Sequence, residues 1–181
     1  INIVDKSVIV HEGYDIYVSA FQTYNTMDKL KSKELFLKEL DEKWEFWGVY
    51  FKNNLIGYSQ NKIADRCCDY STIKINPNYK KMYPTYALFF IMNKYYLNEK
   101  KLKYISDGAR SLYHQSNIQE FLIKKFKFRM AFCRLNIVYS PFIKKVVFLL
   151  YPFRVLFYLI NITLFKKIEF VLKQEEIIRH Q

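Results

Sequence analysis

Residues 73–88 of this 181-residue chain read IKINPNYKKMYPTYAL, and this stretch decides the fold. Its first three residues continue a segment, 67–75, whose β-branched and aromatic residues predict a strand that ends at Pro77. Pro84 suits the first turn of a helix, and large apolar residues recur at helical spacing after it. The stretch is therefore predicted to be a strand, a short loop and a helix over about 85–98.

The segments on either side continue this order of strands and helices. A β-hairpin is predicted at 44–58, because its two strands flank Lys52-Asn53-Asn54 and asparagine tolerates the positive φ of a tight turn. A capping box from Ser116 to Gln119 predicts the start of a later helix. The other predicted elements are a strand over 2–10, helices over about 14–25 and 32–42, a short strand at 103–106 and a final strand over about 130–139.

Composition limits the class of protein. With 51% hydrophobic residues, four Gly and four Pro, the chain can bury enough apolar surface to fold, which excludes disordered and collagen-like classes. Its length suits one domain rather than a two-domain enzyme. Because Cys67 and Cys68 are adjacent and the three histidines are scattered, we expect no metal site, no disulfide framework and a reducing compartment.

The formal net charge of +12 is concentrated in the C-terminal part of the chain. Residues 1–99 carry 13 Lys and Arg against 12 Asp and Glu, whereas residues 100–181 carry 16 against 5. This asymmetry favours an anionic partner. Because the basic residues are interleaved with long apolar runs and no nucleic-acid-binding motif is legible, a membrane surface is favoured over nucleic acid.

Residues 146–165 form a mainly apolar stretch with a lysine pair on each side. Its length would permit a membrane span, but Arg154 near the centre and the helix-breaking Pro152 disfavour one. Polar residues recur along one stripe that comprises Lys144, Tyr151, Arg154, Tyr158 and Asn161. This pattern predicts an amphipathic helix, kinked at Pro152, whose apolar face lies in an anionic lipid interface or packs on the core or a second protomer. A second helix is predicted over about 165–179.

The order of elements and three local segments resemble the GNAT acyltransferase superfamily over roughly residues 14–139. WGVY at 47–50 and LIGY at 55–58 resemble a strand pair of that family, and 73–88 resembles its strand, phosphate-cradling loop and helix. The segment from Ser116 to FKFR at 126–129 resembles its late helix and the turn that follows. The resemblance implies an α+β fold over residues 1–140, with a central, mostly antiparallel twisted sheet flanked by helices, and a helical extension over 141–181.

The resemblance also implies acetyl-CoA or another acyl-CoA as the donor substrate. A helix N-terminus presents unpaired N–H groups and the positive end of a dipole, so the pyrophosphate is expected at the loop before the helix. The residues that the family's pattern assigns to the cofactor are Ile73 and Ile75 for pantetheine, Lys80, Lys81, Tyr83 and Thr85 for pyrophosphate, and Asn117 for the cofactor arm. Where the family has glycines or a general-acid tyrosine, this chain has Tyr83, Thr85, Lys127 and Ile123.

Two residues are candidates for the general base. Asp69 lies on the strand before the loop, where a carboxylate could deprotonate an acceptor amine directly or through a water. His114 precedes the capping box, and an imidazole titrates near neutral pH. A solvated strand carboxylate and a surface histidine are the alternative interpretations. The Asp107-Gly108 turn is interpreted either as a contact to the acceptor or as a plain turn.

These features predict an acyl-CoA-dependent N- or O-acyltransferase that transfers directly to an amine or hydroxyl acceptor, such as a cell-envelope sugar or lipid amine. The alternatives are a Fem-type aminoacyl transferase and a non-catalytic membrane-surface or assembly protein on a degenerate GNAT scaffold. The expected location is the cytoplasm, with 141–181 on the cytoplasmic membrane face or in a homodimer. The chain begins at Ile1 rather than Met and opens with no secretory signal pattern, so residues could precede it.

Overall fold

A computed structural model describes residues 1–24, 26, 28–108, 117–132, 134–159 and 163–181. The chain forms two compact units, Ile1–Phe126 and Lys127–Gln181. The sequence-based division into a catalytic domain over residues 1–140 and an extension over residues 141–181 stays a prediction.

The first unit is built on a five-stranded sheet in the order β1-β2-β3-β4-β5. The strands are β1 Asn2–Val4, β2 Glu45–Phe51, β3 Asn54–Ala64, β4 Cys67–Ile75 and β5 Tyr104–Ser106. Neighbouring strands from β1 to β4 pair antiparallel, whereas β4 and β5 pair parallel. The predicted α+β architecture with a mostly antiparallel sheet is therefore confirmed.

Helices connect and cover the strands of this unit. Helix α1 is one continuous helical stretch with segments Lys6–Val8, Ile9–Gly13 and Tyr14–Phe21, the middle one π-helical. The others are α2 Lys33–Lys38, a 3-10 turn Pro77–Met82, α3 Pro84–Asn93 with a π-helical continuation Lys94–Glu99, and α4 Ile118–Phe126. The helix predicted over 85–98 is confirmed, and so is the predicted strand over 67–75.

The hairpin predicted between β2 and β3 is confirmed, down to its turn. Phe51 pairs with Asn54, so Lys52 and Asn53 form a two-residue turn. Their φ angles are 48° and 65°. Positive φ at both central residues is typical of the type I′ turn, whose twist matches that of the two strands it connects.

Two predicted strands are wrong. The strand predicted over 2–10 ends at Val4, because Asp5 caps α1 by accepting a hydrogen bond of 2.8 Å from the Ser7 N–H. The β-branched residues that follow continue as helix, since Ile9 is fully buried in the core and packing outweighs propensity. The strand predicted over 130–139 is absent from the described residues 130–132 and 134–139, where the Leu135 N–H donates to the Gln181 side chain instead of to a strand.

The sheet carries a core on each face, because successive side chains of a strand point to opposite faces. On one face, α1 and α2 pack on β2 and β3 in a cluster that includes Tyr17, Phe36 and Tyr58. On the other face, α3 and its continuation pack through rings: Phe89 lies 5.5 Å from Tyr70 between ring centroids.

A fully buried polar network ties the second core to the sheet. The Trp47 Nε1–H donates to the Tyr96 hydroxyl over 2.8 Å, and the Asn61 amide donates to the same hydroxyl over 3.0 Å. The Ser59 hydroxyl donates to the side-chain oxygen Oδ1 of Asn61 over 2.6 Å. Asn61 therefore holds the middle of β3 against the helical layer.

We expect Asn61→Ala to lower the free energy of unfolding by about 2–4 kcal/mol, because it leaves the Ser59 hydroxyl buried without an acceptor and opens a small cavity. Urea unfolding monitored by circular dichroism measures the change. Asn78→Ala is the matched control, since Asn78 is exposed and the same truncation there changes stability by no more than about 0.5 kcal/mol. Equal losses in the two variants would contradict a structural role for the network.

The second unit is helical in its regular part. It contains α5 Pro141–Leu150, a 3-10 turn Tyr151–Phe153, α6 Arg154–Leu159 and α7 Thr163–Arg179. Pro152 lies in this 3-10 turn between α5 and α6, and α7 confirms the helix predicted over 165–179. Among the residues that the structure describes, no helix combines the length and the apolar character needed to cross a bilayer.

Candidate active site

The parallel strands β4 and β5 separate after a short pairing. Only Cys67 to Asp69 pair with Tyr104 to Ser106. From residue 70 to residue 75, β4 is paired with β3 on one side and with no described strand on the other. The backbone groups along this open edge are available to an extended ligand that carries amides. Ile73, half-buried, and Ile75, buried, both lie in this open part of β4, and their role toward pantetheine stays a prediction.

A β-bulge marks the point where β4 leaves β5. Asn61 pairs with Tyr70 and Gln60 pairs with Thr72, so Ser71 is an extra residue without a partner in β3. Such a bulge bends the strand and increases its local twist. The bend lies directly between the paired and the open parts of β4, and it therefore accounts for the separation of the two parallel strands.

The loop after β4 replaces glycine with tyrosine but keeps the glycine conformation. Tyr83 joins the 3-10 turn to α3 with φ 55° and ψ 40°, a left-handed backbone that glycine adopts at no steric cost. Lys127, in the turn after α4, also has a positive φ of 59°. That the loop before α3 holds a phosphate stays a prediction.

The N-terminus of α3 offers few backbone donors to a phosphate. Pro84 has no N–H, and the N–H groups of Tyr86 and Ala87 donate to the Tyr83 carbonyl over 3.0 and 3.3 Å. The Thr85 N–H is the donor of this first turn that no described residue uses. Lys80 and Lys81, both exposed, supply the positive charge of the loop. An anion at this loop would therefore rely on the two lysines more than on the backbone.

We expect Tyr83→Gly to raise the free energy of unfolding by about 1 kcal/mol relative to Tyr83→Ala, because alanine keeps the strained Cβ and glycine does not. The side chain is 76% exposed, so its removal costs little packing and is the same in both variants. Urea unfolding of the two variants gives the difference. Equal stability would mean that the left-handed backbone at Tyr83 carries no strain.

A half-buried carboxyl group lies where the two parallel strands separate. Asp107 follows the last residue of β5, and continuing the parallel register places it beside Tyr70 of β4. Burial raises the pKa of the Asp107 carboxyl to about 6. The Tyr70 hydroxyl donates to the Asn93 side chain over 2.7 Å. Burial raises the pKa of Tyr70, with smaller contributions from Cys68 and from the negative charge of Asp107.

Of the two predicted general bases, Asp69 lies among the described residues. Asp69 is half-buried on the paired part of β4, opposite Ser106. His114 lies outside the described residues, as does Ser116 of the predicted capping box. Asp107 is held in a turn in which the Ser106 hydroxyl accepts a hydrogen bond of 3.0 Å from the Gly108 N–H. The sequence shows this turn but not that its carboxyl is half-buried.

The start of α4 lies next to this turn. The Gln119 side chain donates to the Gly108 carbonyl over 3.5 Å. The carbonyl of Asn117 accepts a hydrogen bond of 3.0 Å from the Phe121 N–H, so Asn117 begins the helix with its side chain exposed. This arrangement leaves the Asn117 amide available to a ligand at the open edge.

A cavity of about 610 Å³ lies on the α1 face of the sheet and shares β4 with the open edge. Six aromatic residues line it together with charged ones such as Lys31 and Glu39; the aromatic residues are Tyr17, Phe21, Tyr24, Phe36, Trp44 and Tyr58. The β4 residues in its lining are Thr72 and Lys74, which alternate with Ile73 and Ile75 on the opposite face. Within residues 70–75 of β4, the side chains of Thr72 and Lys74 therefore line the cavity, and those of Ile73 and Ile75 lie on the other face of the sheet.

Two polar groups in the cavity are perturbed by burial. The Lys74 Nζ lies 3.2 Å from the Tyr24 hydroxyl and 4.6 Å from the centre of its ring. Burial, with a contribution from the positive charge of Lys31, lowers the pKa of Lys74 to about 8. The Tyr58 hydroxyl is fully buried and has no hydrogen-bond partner among the described residues. A polar group of a ligand in the cavity could satisfy both.

Comparisons with known proteins rest on structure alone. No protein-family model and no curated protein matches this sequence. The fold is similar to a ribosomal-protein-alanine N-acetyltransferase from Brucella melitensis biovar Abortus 2308, with a TM-score of 0.58 and 12% identity, covering 76% of this chain and 98% of that one. It is also similar to an aminoglycoside acetyltransferase from an uncultured soil metagenomic sample, with a TM-score of 0.54 and 10% identity, covering 77% and 95%.

The separated parallel strands and the loop into α3 define a mixed α/β fold in which one strand has an open edge. The similar structures identify this fold as the GNAT fold, as the sequence predicted. Sequence reasoning placed the loop and the open strand correctly in this fold. It missed the half-buried carboxyl of Asp107 and the cavity around Lys74. The alternation of Thr72 and Lys74 with Ile73 and Ile75 indicates that Thr72 and Lys74 share a face of the sheet, but not that a cavity lies there.

Proposed function

We propose that the protein is an acyl-CoA-dependent N- or O-acyltransferase that transfers the acyl group directly to an amine or hydroxyl acceptor. The observation that carries this proposal is the open edge of β4 over residues 70–75, which leads directly into the loop and helix α3. A ligand that carries amides and ends in phosphates matches an edge of free backbone groups followed by a pair of lysines.

The residues present fit such a donor substrate. The backbone of Ile73 and Ile75 would pair with the pantetheine amides, and Lys80 and Lys81, with the N–H group of Thr85, would hold the pyrophosphate. The Tyr83 N–H donates to the Lys80 carbonyl over 3.1 Å and is not available to it. Asn117 would bond the cofactor arm from the start of α4. Acetyl-CoA is the donor that we propose, and it supplies a thioester carbonyl activated toward nucleophilic attack.

The cavity on the α1 face is the proposed acceptor site. Its aromatic walls suit the apolar faces of a ring, while Lys74, Tyr58 and Gln60 offer polar groups that would fix the orientation of an acceptor. A cell-envelope sugar or a lipid amine is an acceptor of this kind. Because the cavity and the open edge lie on either side of one β4 segment, an acceptor and a donor bound there would approach each other.

Asp107 is the residue that we propose as general base, with Asp69 and His114 as the candidates predicted from sequence. A carboxyl group whose pKa is about 6 is mostly ionised at neutral pH and is a stronger base than an ordinary carboxylate. It follows β5 at the point where β4 and β5 separate, which is the start of the open edge proposed for the donor.

Acceptor-dependent release of coenzyme A tests the proposal. The full chain is incubated with acetyl-CoA and a panel of amines and alcohols that includes amino sugars, and free thiol is measured over time. An acceptor that accelerates thiol release and gains the mass of one acetyl group supports the activity. Binding of acetyl-CoA without transfer to any acceptor of the panel would favour a non-catalytic protein on the same fold.

A further inference from the structure

The helices of the second unit pack on one another through polar side chains. The Arg154 Nε–H donates to the Glu176 carboxylate over 3.0 Å, and the Tyr158 hydroxyl donates to the same carboxylate over 3.1 Å. The Tyr151 ring lies 4.1 Å from the Arg179 guanidinium carbon, measured to the ring centre. Three residues of the polar stripe predicted from sequence, Tyr151, Arg154 and Tyr158, therefore contact α7, whereas Lys144 is exposed and Asn161 lies outside the described residues.

This arrangement leaves large apolar side chains on the outside. Phe142 is 76% exposed and Leu149 68% exposed, and with the exposed Val146 they recur at helical spacing along one side of α5. Large apolar side chains are also exposed after α5, at Phe153, Val155 and Leu156. We call these six residues the apolar face of α5 and α6. Contiguous apolar surface of this kind marks an interaction site more often than plain solvent contact.

The charge of the unit indicates what kind of partner covers this face. Residues 127–181 carry ten Lys and Arg against three Glu. Each of the three glutamates is paired within the unit, with Arg154, Lys173 or Arg179. Seven basic residues therefore have no ionic partner among the described residues, and Lys144 and Lys145 of this set are exposed on α5 itself.

We propose that the apolar face of α5 and α6 docks on the surface of an anionic lipid bilayer, with the unpaired lysines toward the headgroups. A helix of ten residues, about 15 Å long, lies in the interface rather than across it. A second copy of the chain would bring the same uncompensated positive charge to the contact and is therefore a poorer occupant than anionic lipid. This inference is independent of the proposed acyl transfer.

Flotation of the full chain with vesicles tests the proposal. Vesicles of phosphatidylcholine alone are compared with vesicles that also contain phosphatidylglycerol. We expect binding to the anionic vesicles, weakened at high salt because the attraction between the lysines and the headgroups is screened. Equal binding to both kinds of vesicle, or binding to neither, would overturn the proposal.

Paired variants distinguish binding through the apolar face from nonspecific binding through any exposed apolar residue. We expect Phe142→Ser with Leu149→Ser to lower vesicle binding by about tenfold or more, and Lys144→Gln with Lys145→Gln to lower it by roughly tenfold on anionic vesicles only. Phe132→Ser is the control, because Phe132 is 90% exposed in the same unit but lies outside the helices, and we expect it to leave binding unchanged.

Analytical ultracentrifugation of the same protein preparations gives the oligomeric state, which decides whether lipid or a second copy of the chain covers the apolar face. Monomeric wild type that binds anionic vesicles supports docking on lipid. A stable dimer that becomes monomeric in the Phe142→Ser, Leu149→Ser variant would overturn the proposal in favour of self-association through this face.

Discussion

Changing Lys80 and Lys81 together to alanine is expected to weaken acetyl-CoA binding by at least about tenfold. The reason is that the first turn of α3 offers few N–H donors to a phosphate. Pro84 has no N–H, and the N–H groups that follow Thr85 already donate to the Tyr83 carbonyl. Charge-assisted hydrogen bonds from lysine to phosphate contribute about 1.5–3 kcal/mol each when they are well formed. Because few backbone N–H groups are available to bind the phosphates, the loss of both lysines removes most of the attraction to them.

The control is the pair Lys33→Ala and Lys38→Ala on α2, which removes the same net charge from exposed positions away from the loop. Isothermal titration with acetyl-CoA measures both double variants. If the control pair loses as much affinity as the loop pair, the effect is one of overall charge and the loop does not hold the phosphates. Unfolding curves of all variants exclude a loss of folded protein as the cause.

The second large effect is expected at Asp107. We expect Asp107→Asn to lower kcat/KM by about 10²–10⁴-fold, the usual contribution of a positioned general base. In the wild-type enzyme kcat/KM should fall as the pH drops below about 6, because the carboxyl then becomes protonated. Acetyl-CoA affinity should stay unchanged in the variant, since Asp107 is not among the proposed phosphate or pantetheine contacts.

Stability gives a second reading of the same substitution. The folded pKa of Asp107 lies above that of an unfolded aspartate, so the folded state binds more protons between about pH 4 and pH 6 and loses stability as the pH rises through that window. Asn cannot ionise, so we expect Asp107→Asn to raise Tm at pH 7 while it lowers activity. Asp69→Asn is the matched variant. A large rate loss in Asp69→Asn together with normal activity in Asp107→Asn would assign the base to Asp69.

The fold was predictable where local patterns and packing agree. The turn at Lys52-Asn53, the strand at 67–75 and the helix after Pro84 each have turn or cap residues at the right place in the sequence. The strand over 2–10 failed because the capping side chain of Asp5 and the burial of Ile9 outweigh the β-branched pattern. The strand over 130–139 failed because an alternating pattern does not specify a partner, and no edge of the sheet pairs with the described part of that segment.

The candidate site was predictable in the same uneven way. The loop residues Lys80, Lys81, Tyr83 and Thr85 form one short stretch, so their proximity follows from the sequence. The cavity joins α1, α2, β3 and β4, and the surroundings of Lys74 depend on residues about 50 positions away, such as Tyr24. The burial of Asp107 likewise depends on how β5 is placed beside β4. Such long-range neighbours leave no signal in the local pattern of a single sequence.

Isothermal titration of the full chain with acetyl-CoA and with free coenzyme A tests the central claim most directly, because every proposed role depends on the donor binding at the open edge of β4 and the loop after it. We expect micromolar binding of both ligands that weakens together when Lys80 and Lys81 are changed. No heat of binding at millimolar ligand would contradict the acyltransferase proposal and leave the GNAT fold without its donor substrate.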